Sequence, residues 1–224
     1  MRSKLFIFLV FVIFVCPSTY GQFSFGINGS LTSSGMSVPA ENMKTGIKMG
    51  LFADYTFSNR IVLISGLDYV IKGANGLRSN VNYSPQMKIF DIQLGYIQLP
   101  VSIGYKINLK DNFSIVPSVG FYCAYGVHGN SKVQSFSFDA EGADKYIENS
   151  WNPYKKTVCN DWGKTTLTAL DRFDMGLTFG LQADFNKILC KINYDRGFIL
   201  GWNGFGNIKD VRNKSISVGF GFRF

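Results

Sequence analysis

A period-two alternation of apolar residues with small or polar ones runs through most of this sequence, and it constrains the fold more than any other feature. Such alternation is typical of a β-strand whose two faces meet different surroundings. Most of the alternating segments are about 11–15 residues long, longer than the roughly 5–6 residues usual in soluble sheets. We identify eight segments. The first begins at Gln22, and the other seven span residues 46–57, 60–72, 91–107, 113–127, 172–185, 188–200 and 215–224.

The connections between these segments are short and long by turns. Three of the connections are short turns. SNR joins segments two and three, NLKDN joins segments four and five, and NKI joins segments six and seven. The other joins are long and polar, and they cover residues 30–45, 73–89, 128–171 and 201–213. An even number of strands with short turns at one end and long loops at the other is the pattern of a bacterial outer-membrane barrel. We therefore predict an all-β fold, an eight-stranded antiparallel up-and-down transmembrane barrel in the cell outer membrane, with both termini periplasmic.

A soluble β-sandwich or a lipocalin-like barrel is the alternative, since antiparallel sheets of both kinds also alternate. The aromatic residues favour the membrane barrel, because Phe and Tyr collect near the strand ends as they do in an interfacial girdle. The opposite face favours it too. That face carries glycine, small polar residues and isolated charges, rather than a solvated row of Lys and Glu or an apolar core.

The fourth segment, residues 91–107, changes its phase. Its apolar residues are even-numbered up to Tyr96 and odd-numbered from Ile97 onward. A one-residue slip of this kind is what a β-bulge produces, and Pro100 lies just beyond it, where a strand tolerates a missing donor best. We therefore predict a bulge in the fourth strand.

Residues 1–21 are predicted to be a signal peptide. Arg2 and Lys4 form a positively charged start, and residues 5–15 form an apolar run that is too short to span a bilayer as a helix. The barrel domain is then expected to comprise residues 22–224.

Charge and cysteine usage exclude two classes of function. The segment 22–224 has a net charge of +6, because all 15 acidic residues remain when the signal peptide and its two basic residues are removed. The basic residues are spread out and form no run that would bind nucleic acid. Cys123, Cys159 and Cys190 are scattered, without the spacing of a disulfide framework or a metal site. We therefore expect no metal and no other cofactor.

The last alternating segment, SISVGFGFRF, ends on an aromatic residue. The last strand of a barrel must pair with the first, because an open strand edge is not tolerated in hydrocarbon. A C-terminal aromatic on such a strand also resembles the signal by which the barrel-insertion machinery recognises outer-membrane proteins. Phe224 is therefore our candidate assembly signal, and the insertion machinery and outer-membrane lipid are expected partners.

Three motifs resemble a known group of proteins. They are GYIQLPVSIGYKI, DRFDMGLTFGLQADF and the closing SISVGFGFRF, and the aromatic-x-x-Leu-Pro element of the first is the most telling. Together they are similar to the outer-membrane β-barrel proteins of Bacteroidetes that form the PorT-like family, over nearly all of residues 22–224. The resemblance implies an eight-stranded outer-membrane barrel. Most members of that family have no assigned biochemical activity, and PorT itself is linked to a secretion and gliding apparatus.

Ten charged residues fall on the face that the predicted barrel turns inward. An eight-stranded barrel is just wide enough for side chains to fill it or to hold one small ligand, and buried charges are very costly unless they are paired. A balanced set of five acids and five bases therefore predicts a filled, self-paired interior, while a proton or ion path along the charges is the alternative. The ten residues are Lys48, Asp54, Asp68, Lys72, Lys106, Asp174, Asp184, Lys191, Asp195 and Arg223.

The connection 128–171 is longer than a loop without secondary structure usually is, and such loops are mostly functional or disordered. It contains Trp151, Tyr154 and Trp162 among charges of both signs. Aromatic residues beside charges suit a binding patch, so these three are our candidate binding residues. A solvated, variable surface loop is the alternative interpretation.

The only histidine, His128, has Ser131 and Asp139 nearby in the sequence. Their spacing is not specific for catalysis, and Ser and Asp are common in solvated loops. We assign no catalytic residue and predict that the protein is not an enzyme.

The sequence thus predicts a non-enzymatic integral outer-membrane barrel whose extracellular loops, chiefly 128–171, contact a protein partner. The alternatives are an accessory subunit of an outer-membrane secretion machine, a narrow channel and a lipid-modifying barrel enzyme.

Overall fold

The computed structural model describes most of the chain from Gln22 to Phe224. The described residues are 22–36, 42–80, 87–138, 144–155, 157–159, 165–167, 170–198 and 212–224. The predicted signal peptide lies outside them. Within these ranges there is no helix whose length and apolar character would let it cross a membrane.

Twelve strands form in the described residues. They are β1 (Gln22–Met36), β2 (Asn42–Thr56), β3 (Ile61–Asn80), β4 (Met87–Tyr105), β5 (Ile107–Lys110), β6 (Phe113–Phe138), β7 (Asp144–Trp151), β8 (Thr157–Cys159), β9 (Thr165–Leu167), β10 (Phe173–Phe185), β11 (Ile188–Gly197) and β12 (Asn213–Arg223).

Eight of these strands close into an antiparallel barrel. Around the wall the order is β1, β2, β3, β4, β6, β10, β11 and β12, and β12 pairs with β1 to complete the circle. The closure joins Gly26 to Arg223 at one end and Met36 to Asn213 at the other. The eight-stranded antiparallel barrel predicted from the alternation is therefore confirmed.

The other four strands lie outside this circle. The short strand β5 continues β4 and pairs with β6. Strand β7 pairs with the last part of β6, from Ser131 to Phe138. Strands β8 and β9 pair with each other. We call the end of the barrel that carries residues 57–60, 111–112 and 186–187 the short-turn end. The opposite end is the long-loop end.

The short turns form as predicted. In the SNR turn, Phe57 N donates to Ile61 O over 2.8 Å, and Arg60 takes a φ of 67°. In the NKI turn, Asn186 takes a φ of 53°. A left-handed residue matches the twist of a tight hairpin, and Asn adopts that conformation more readily than most residues.

The two faces of each wall strand differ as the alternation requires. On β12 the outward residues are large and apolar, with Val218 54% and Phe220 67% exposed, while the inward Ser215 and Ser217 are 4% and 3% exposed. An apolar exterior around a polar interior is the reverse of a soluble barrel, and it is the arrangement expected in lipid.

The predicted bulge in the fourth strand is wrong. The register of β4 with β3 runs unbroken from Asp68 opposite Gln98 to Lys72 opposite Leu94. The even-numbered residues Ile92, Leu94, Tyr96, Gln98 and Ser102 of β4 are buried and face inward, on both sides of the predicted slip. The apparent slip arises because the interior itself changes from polar to apolar toward the long-loop end, so that inward positions there carry large apolar residues.

A bulge does occur, but on the neighbouring strand β6. Gly95 of β4 faces His128, whereas Tyr96 faces Gly126, so Val127 is an additional residue on β6. The inward positions of β6 are even-numbered up to Gly126, before the bulge, and they are the odd-numbered Gly129 and Ser131 directly after it. As a result, His128 lies on the outer face of the barrel.

Several predicted long loops are shorter than expected, because the strands continue into them. β1 continues to Met36 and β3 to Asn80, and β4 already begins at Met87. The predicted loop 128–171 contains the last part of β6 and all of β7. Backbone pairing supports these extensions, and on β1 the buried Ser34 hydroxyl adds hydrogen bonds to Lys44 O and Gly73 O. Small polar inward residues of this kind leave no clear apolar alternation in the sequence.

Candidate functional site

The charged interior is organised in layers along the barrel axis. In the middle layer, Lys48 Nζ lies 3.2 Å from Asp68 Oδ2 and 3.9 Å from Asp195 Oδ2. Asp195 also accepts hydrogen bonds from Thr178 Oγ1 at 2.7 Å and from Gln98 Nε2 at 3.1 Å. These contacts tie five wall strands together across the lumen.

The layer at the short-turn end is centred on Arg223. Its guanidinium Nη2 lies 3.0 Å from Asp54 Oδ2 and 3.2 Å from Asp184 Oδ2. Gln182 Nε2 donates to the other oxygen of Asp184. One arginine on the closing strand thus holds carboxylates from β2 and β10, on opposite sides of the lumen.

The layer at the long-loop end is the most deeply buried. Lys72 Nζ lies 3.6 Å from Asp174 Oδ2, and these side chains are 1% and 0% exposed. Tyr122 Oη and Asn213 Nδ2 donate to the same carboxylate over 3.3 and 3.0 Å. The ammonium of Lys72 also lies over two aromatic rings, 4.3 Å from the centroid of Tyr122 and 5.6 Å from that of Tyr96.

The two remaining predicted interior bases, Lys191 and Lys106, are half-buried. Lys191 Nζ lies 3.9 Å above the ring centroid of Phe52, inside the barrel. Lys106 lies in the break between β4 and β5 and lines the mouth at the short-turn end. Nine of the predicted charges therefore lie within the lumen, and Lys106 lies at its rim.

A plug of three residues closes the long-loop end. Its members, Pro153, Tyr154 and Leu170, are all buried. Leu170 N donates to Pro153 O over 2.8 Å, which joins the two chain segments of the plug. The Tyr154 ring packs edge-on against Tyr96, with centroids 6.4 Å apart.

Arg172 fixes this plug to the barrel wall. Its Nη1 donates to Gly126 O over 2.8 Å, and its guanidinium lies 4.7 Å from the centroid of the Tyr154 ring. Burial raises the pKa of Tyr154 to about 12. The hydroxyl therefore stays neutral at physiological pH, as an inserted ring requires.

The three candidate binding residues do not lie together in one described surface. Tyr154 is 6% exposed, and its ring faces the lumen rather than the surface. Trp151 ends β7, where it pairs with Ser131. Trp162 lies outside the described residues. That the three bind a partner stays a prediction, while the plug is a feature that the sequence analysis missed. The inward apolar residues Leu94 and Tyr96 were its signal.

The geometry separates the residues of the enzyme alternative. The His128 ring stacks on Tyr69 outside the barrel, with centroids 6.0 Å apart. Ser131 is 1% exposed and faces the interior. The two side chains lie on opposite faces of β6, so they do not form a nucleophile and base pair. Asp139 lies outside the described residues, and no cluster with metal-ligand character occurs among the residues that the structure describes.

Free space inside the barrel narrows away from the short-turn end. A cavity of about 490 Å³ opens at that mouth, beside Lys106 and Arg223. A second cavity of about 230 Å³ lies next to it and reaches Asp54 and Val116. Near Lys48, in the middle layer, the cavity volume is only about 50 Å³. The paired charges thus fill the central cross-section.

Comparison with known proteins gives a family and several similar folds. The family model described as outer membrane protein beta-barrel domain matches residues 18–199. Among solved structures, Ail of Yersinia pestis is 15% identical, with 92% of this chain and 100% of that chain covered and a TM-score of 0.43. Neisserial surface protein A is also 15% identical, with 91% and 99% covered and a TM-score of 0.46.

OprG from Pseudomonas aeruginosa is 10% identical, with 92% of this chain and 97% of that chain covered and a TM-score of 0.47. No curated protein sequence matches the chain. The family match spans well over half of the chain, and the closed antiparallel barrel with its apolar exterior agrees with it. The chain belongs to the outer membrane protein beta-barrel domain family and is an integral protein of the outer membrane.

Proposed function

We propose that this protein is a non-enzymatic barrel with a closed lumen, which displays an interaction surface for a protein partner at its long-loop end. The surface is formed chiefly by residues 128–171. The observation that carries the proposal is the hairpin of β6 and β7, which continues beyond the apolar part of the barrel.

The length of β6 supports this display role. Its outward residues are apolar and exposed up to Val127, which is 39% exposed. Beyond the bulge the strand continues for the eleven residues 128–138, and it pairs with β4 on one side and β7 on the other. At about 3.3 Å per residue this adds about 36 Å of ordered strand. A membrane crossing needs only about 9–11 residues, so the extension serves something other than crossing.

The filled interior argues against the channel alternative. Charged layers cross the lumen at three depths, and the plug covers the long-loop end. An ion that passed through would have to displace paired side chains such as Lys48 and Asp68, which are 6% and 4% exposed. Breaking buried pairs is costly, so we assign the interior charges a structural role.

The enzyme alternative loses its best candidate site, since His128 and Ser131 lie on opposite faces of β6. The narrower kinship with the PorT-like barrels of Bacteroidetes rests on the quoted motifs, and it keeps a secretion machine among the candidate partners. The proposal also includes that both termini are periplasmic, and that the protein contacts outer-membrane lipid and the barrel-insertion machinery.

Two cysteine variants test both the orientation and the display. Ser150→Cys lies in the exposed part of β7, and Lys187→Cys lies in the NKI turn. In intact cells, an impermeant thiol reagent is expected to label the first and not the second. A photo-cross-linker attached at position 150 is then expected to capture a discrete protein partner.

The matched control is the same cross-linker at position 187, introduced in permeabilised cells, which should give no such adduct. Labelling of position 187 in intact cells would invert the proposed orientation. Labelling at position 150 without any adduct would remove the display role.

A further inference from the structure

A cavity of two adjoining parts lies in the lumen at the short-turn end. Its outer part, of about 490 Å³, opens at the mouth, and its inner part, of about 230 Å³, reaches Asp54 and Val116. Lys106, Asp184 and Arg223 line both parts, so the two are neighbours. Small-molecule sites in proteins occupy about 300–1,000 Å³, and this cavity is large enough to be one.

Two buried polar atoms beside the inner part, Asp54 Oδ1 and Arg223 Nε, make no hydrogen bond within the described part of the chain. Asp54 is 2% exposed, and only its other oxygen is engaged, by Arg223 Nη2 at 3.0 Å. Both oxygens of Asp184, in contrast, accept hydrogen bonds, from Arg223 Nη2 at 3.2 Å and from Gln182 Nε2 at 2.6 Å. A buried polar atom without a partner is costly, so a ligand that supplies both hydrogen bonds would be stabilised by them.

The charges around the inner part of the cavity are balanced. Its lining contains two acids, Asp54 and Asp184, and two bases, Lys106 and Arg223. A ligand with a net charge would place an uncompensated charge in a largely buried site, which is unfavourable. The lining therefore favours a neutral ligand that donates one hydrogen bond to the carboxylate and accepts another from the guanidinium.

The remaining side chains of the lining are suited to a sugar ring. Ser24 and Thr56 contribute hydroxyl groups, while Val62 and Val116, which are 3% and 1% exposed, contribute apolar surface. A hydroxyl group donates and accepts hydrogen bonds at once, and the C–H faces of a sugar ring are favourably buried against apolar side chains. The outer part of the cavity adds three asparagine side chains, whose amides also donate and accept.

We propose that this cavity binds a neutral saccharide of one or two rings. Hydroxyl groups of the inner ring donate to Asp54 Oδ1 and accept from Arg223 Nε, and a second ring occupies the wider outer part. The site lies at the opposite end of the barrel from the display surface, so it does not rest on the proposed function. Only the compartment that supplies the saccharide, the periplasm, follows from the orientation proposed above.

Saturation-transfer difference NMR on the barrel, refolded in a detergent without a sugar headgroup, tests the site. The neutral probes are glucose, galactose, mannose, N-acetylglucosamine and maltose, and the charged counterparts are glucosamine and glucuronate. The wild type is expected to bind at least one neutral saccharide at millimolar concentration. It should bind both charged sugars more weakly, because either charge disturbs the balance of the lining.

Two variants locate the bound saccharide. Asp54→Asn keeps the size of the side chain and leaves the contact of Arg223 with Asp184 in place. It should bind at least about tenfold more weakly, because the charged acceptor is lost. Val62→Phe fills the inner part of the cavity without changing a charge, and it should abolish binding. The matched control is Asp171→Asn, which alters an exposed aspartate at the long-loop end and should bind like the wild type.

Heat-modified gel migration verifies that each variant is folded. If only one of the two variants folds, its binding decides, and if neither folds, the comparison of neutral with charged sugars on the wild type decides. The site is refuted if the wild type binds none of the neutral probes, or if it binds a charged sugar more tightly. Unchanged binding by either folded variant, or an equal loss of binding by the control, would refute it as well.

Discussion

Replacing Lys72 by methionine is expected to destabilise the barrel by about 3–5 kcal/mol, the usual effect of removing one partner from a buried ion pair. Lys72 and Asp174 are 1% and 0% exposed, so the carboxylate left behind has no access to water. Tyr122 and Asn213 would still donate to it, but neither neutralises its charge. Methionine keeps most of the side-chain volume, so the loss reports on charge rather than on a cavity.

Urea unfolding of detergent-refolded protein, followed by heat-modified gel migration, measures this loss. The double variant Lys72→Met/Asp174→Asn should recover a large part of it, because replacing both partners removes the unpaired charge. Lys106→Met is the matched control, since that lysine lies half-buried at the open mouth and should shift the midpoint little. An unchanged midpoint for Lys72→Met would mean that the interior charges do not hold the barrel together.

Deleting Phe224 is expected to reduce sharply the amount of barrel that reaches the outer membrane. The residue is 60% exposed, its N donates to Phe25 O over 3.0 Å, and its ring lies 5.4 Å from that of Phe25. Its burial in lipid is worth about 1–3 kcal/mol at most, a small part of the stability of a closed barrel. Recognition and pairing of the closing strand precede closure, so the deletion should act on assembly.

The measurement is the membrane level in cells, paired with the urea midpoint after refolding in detergent. Phe185→Ala is the matched control, because Phe185 is 59% exposed at the same end but lies on β10. The control should assemble at normal levels. Normal assembly of the Phe224 deletion, or its failure to refold in detergent, would contradict the assigned role.

Much of the barrel could be predicted from the sequence, because the two faces of a membrane strand meet such different surroundings. The pairing partners in the lumen could not. Alternation tells which residues face inward, but Arg223 meets Asp54 across 169 residues of sequence. That contact depends on barrel closure and on strand register, and local periodicity predicts neither of them.

The misplaced bulge and the missed plug have one physical cause. Ile92, Leu94 and Tyr96 are completely buried inside the barrel, because the plug shields that part of the lumen from water. Two arrangements give the same sequence pattern: an inward face that becomes apolar, and a strand whose alternation shifts by one residue. Periodicity alone cannot distinguish between them. The burial of Tyr154 could not be predicted from the sequence either, because its partner Tyr96 is distant along the chain.

The central claim, a lumen closed by its own side chains, is tested most directly by electrical recording from the reconstituted protein in planar bilayers. Insertion is verified first by heat-modified migration of the same preparation, and an unfolded sample serves as the blank. We expect no steady conductance above the blank, because the layers around Arg223, Lys48 and Lys72 cross the lumen and Tyr154 covers its end. Stable, repeated openings of porin size in the wild-type protein would contradict the account.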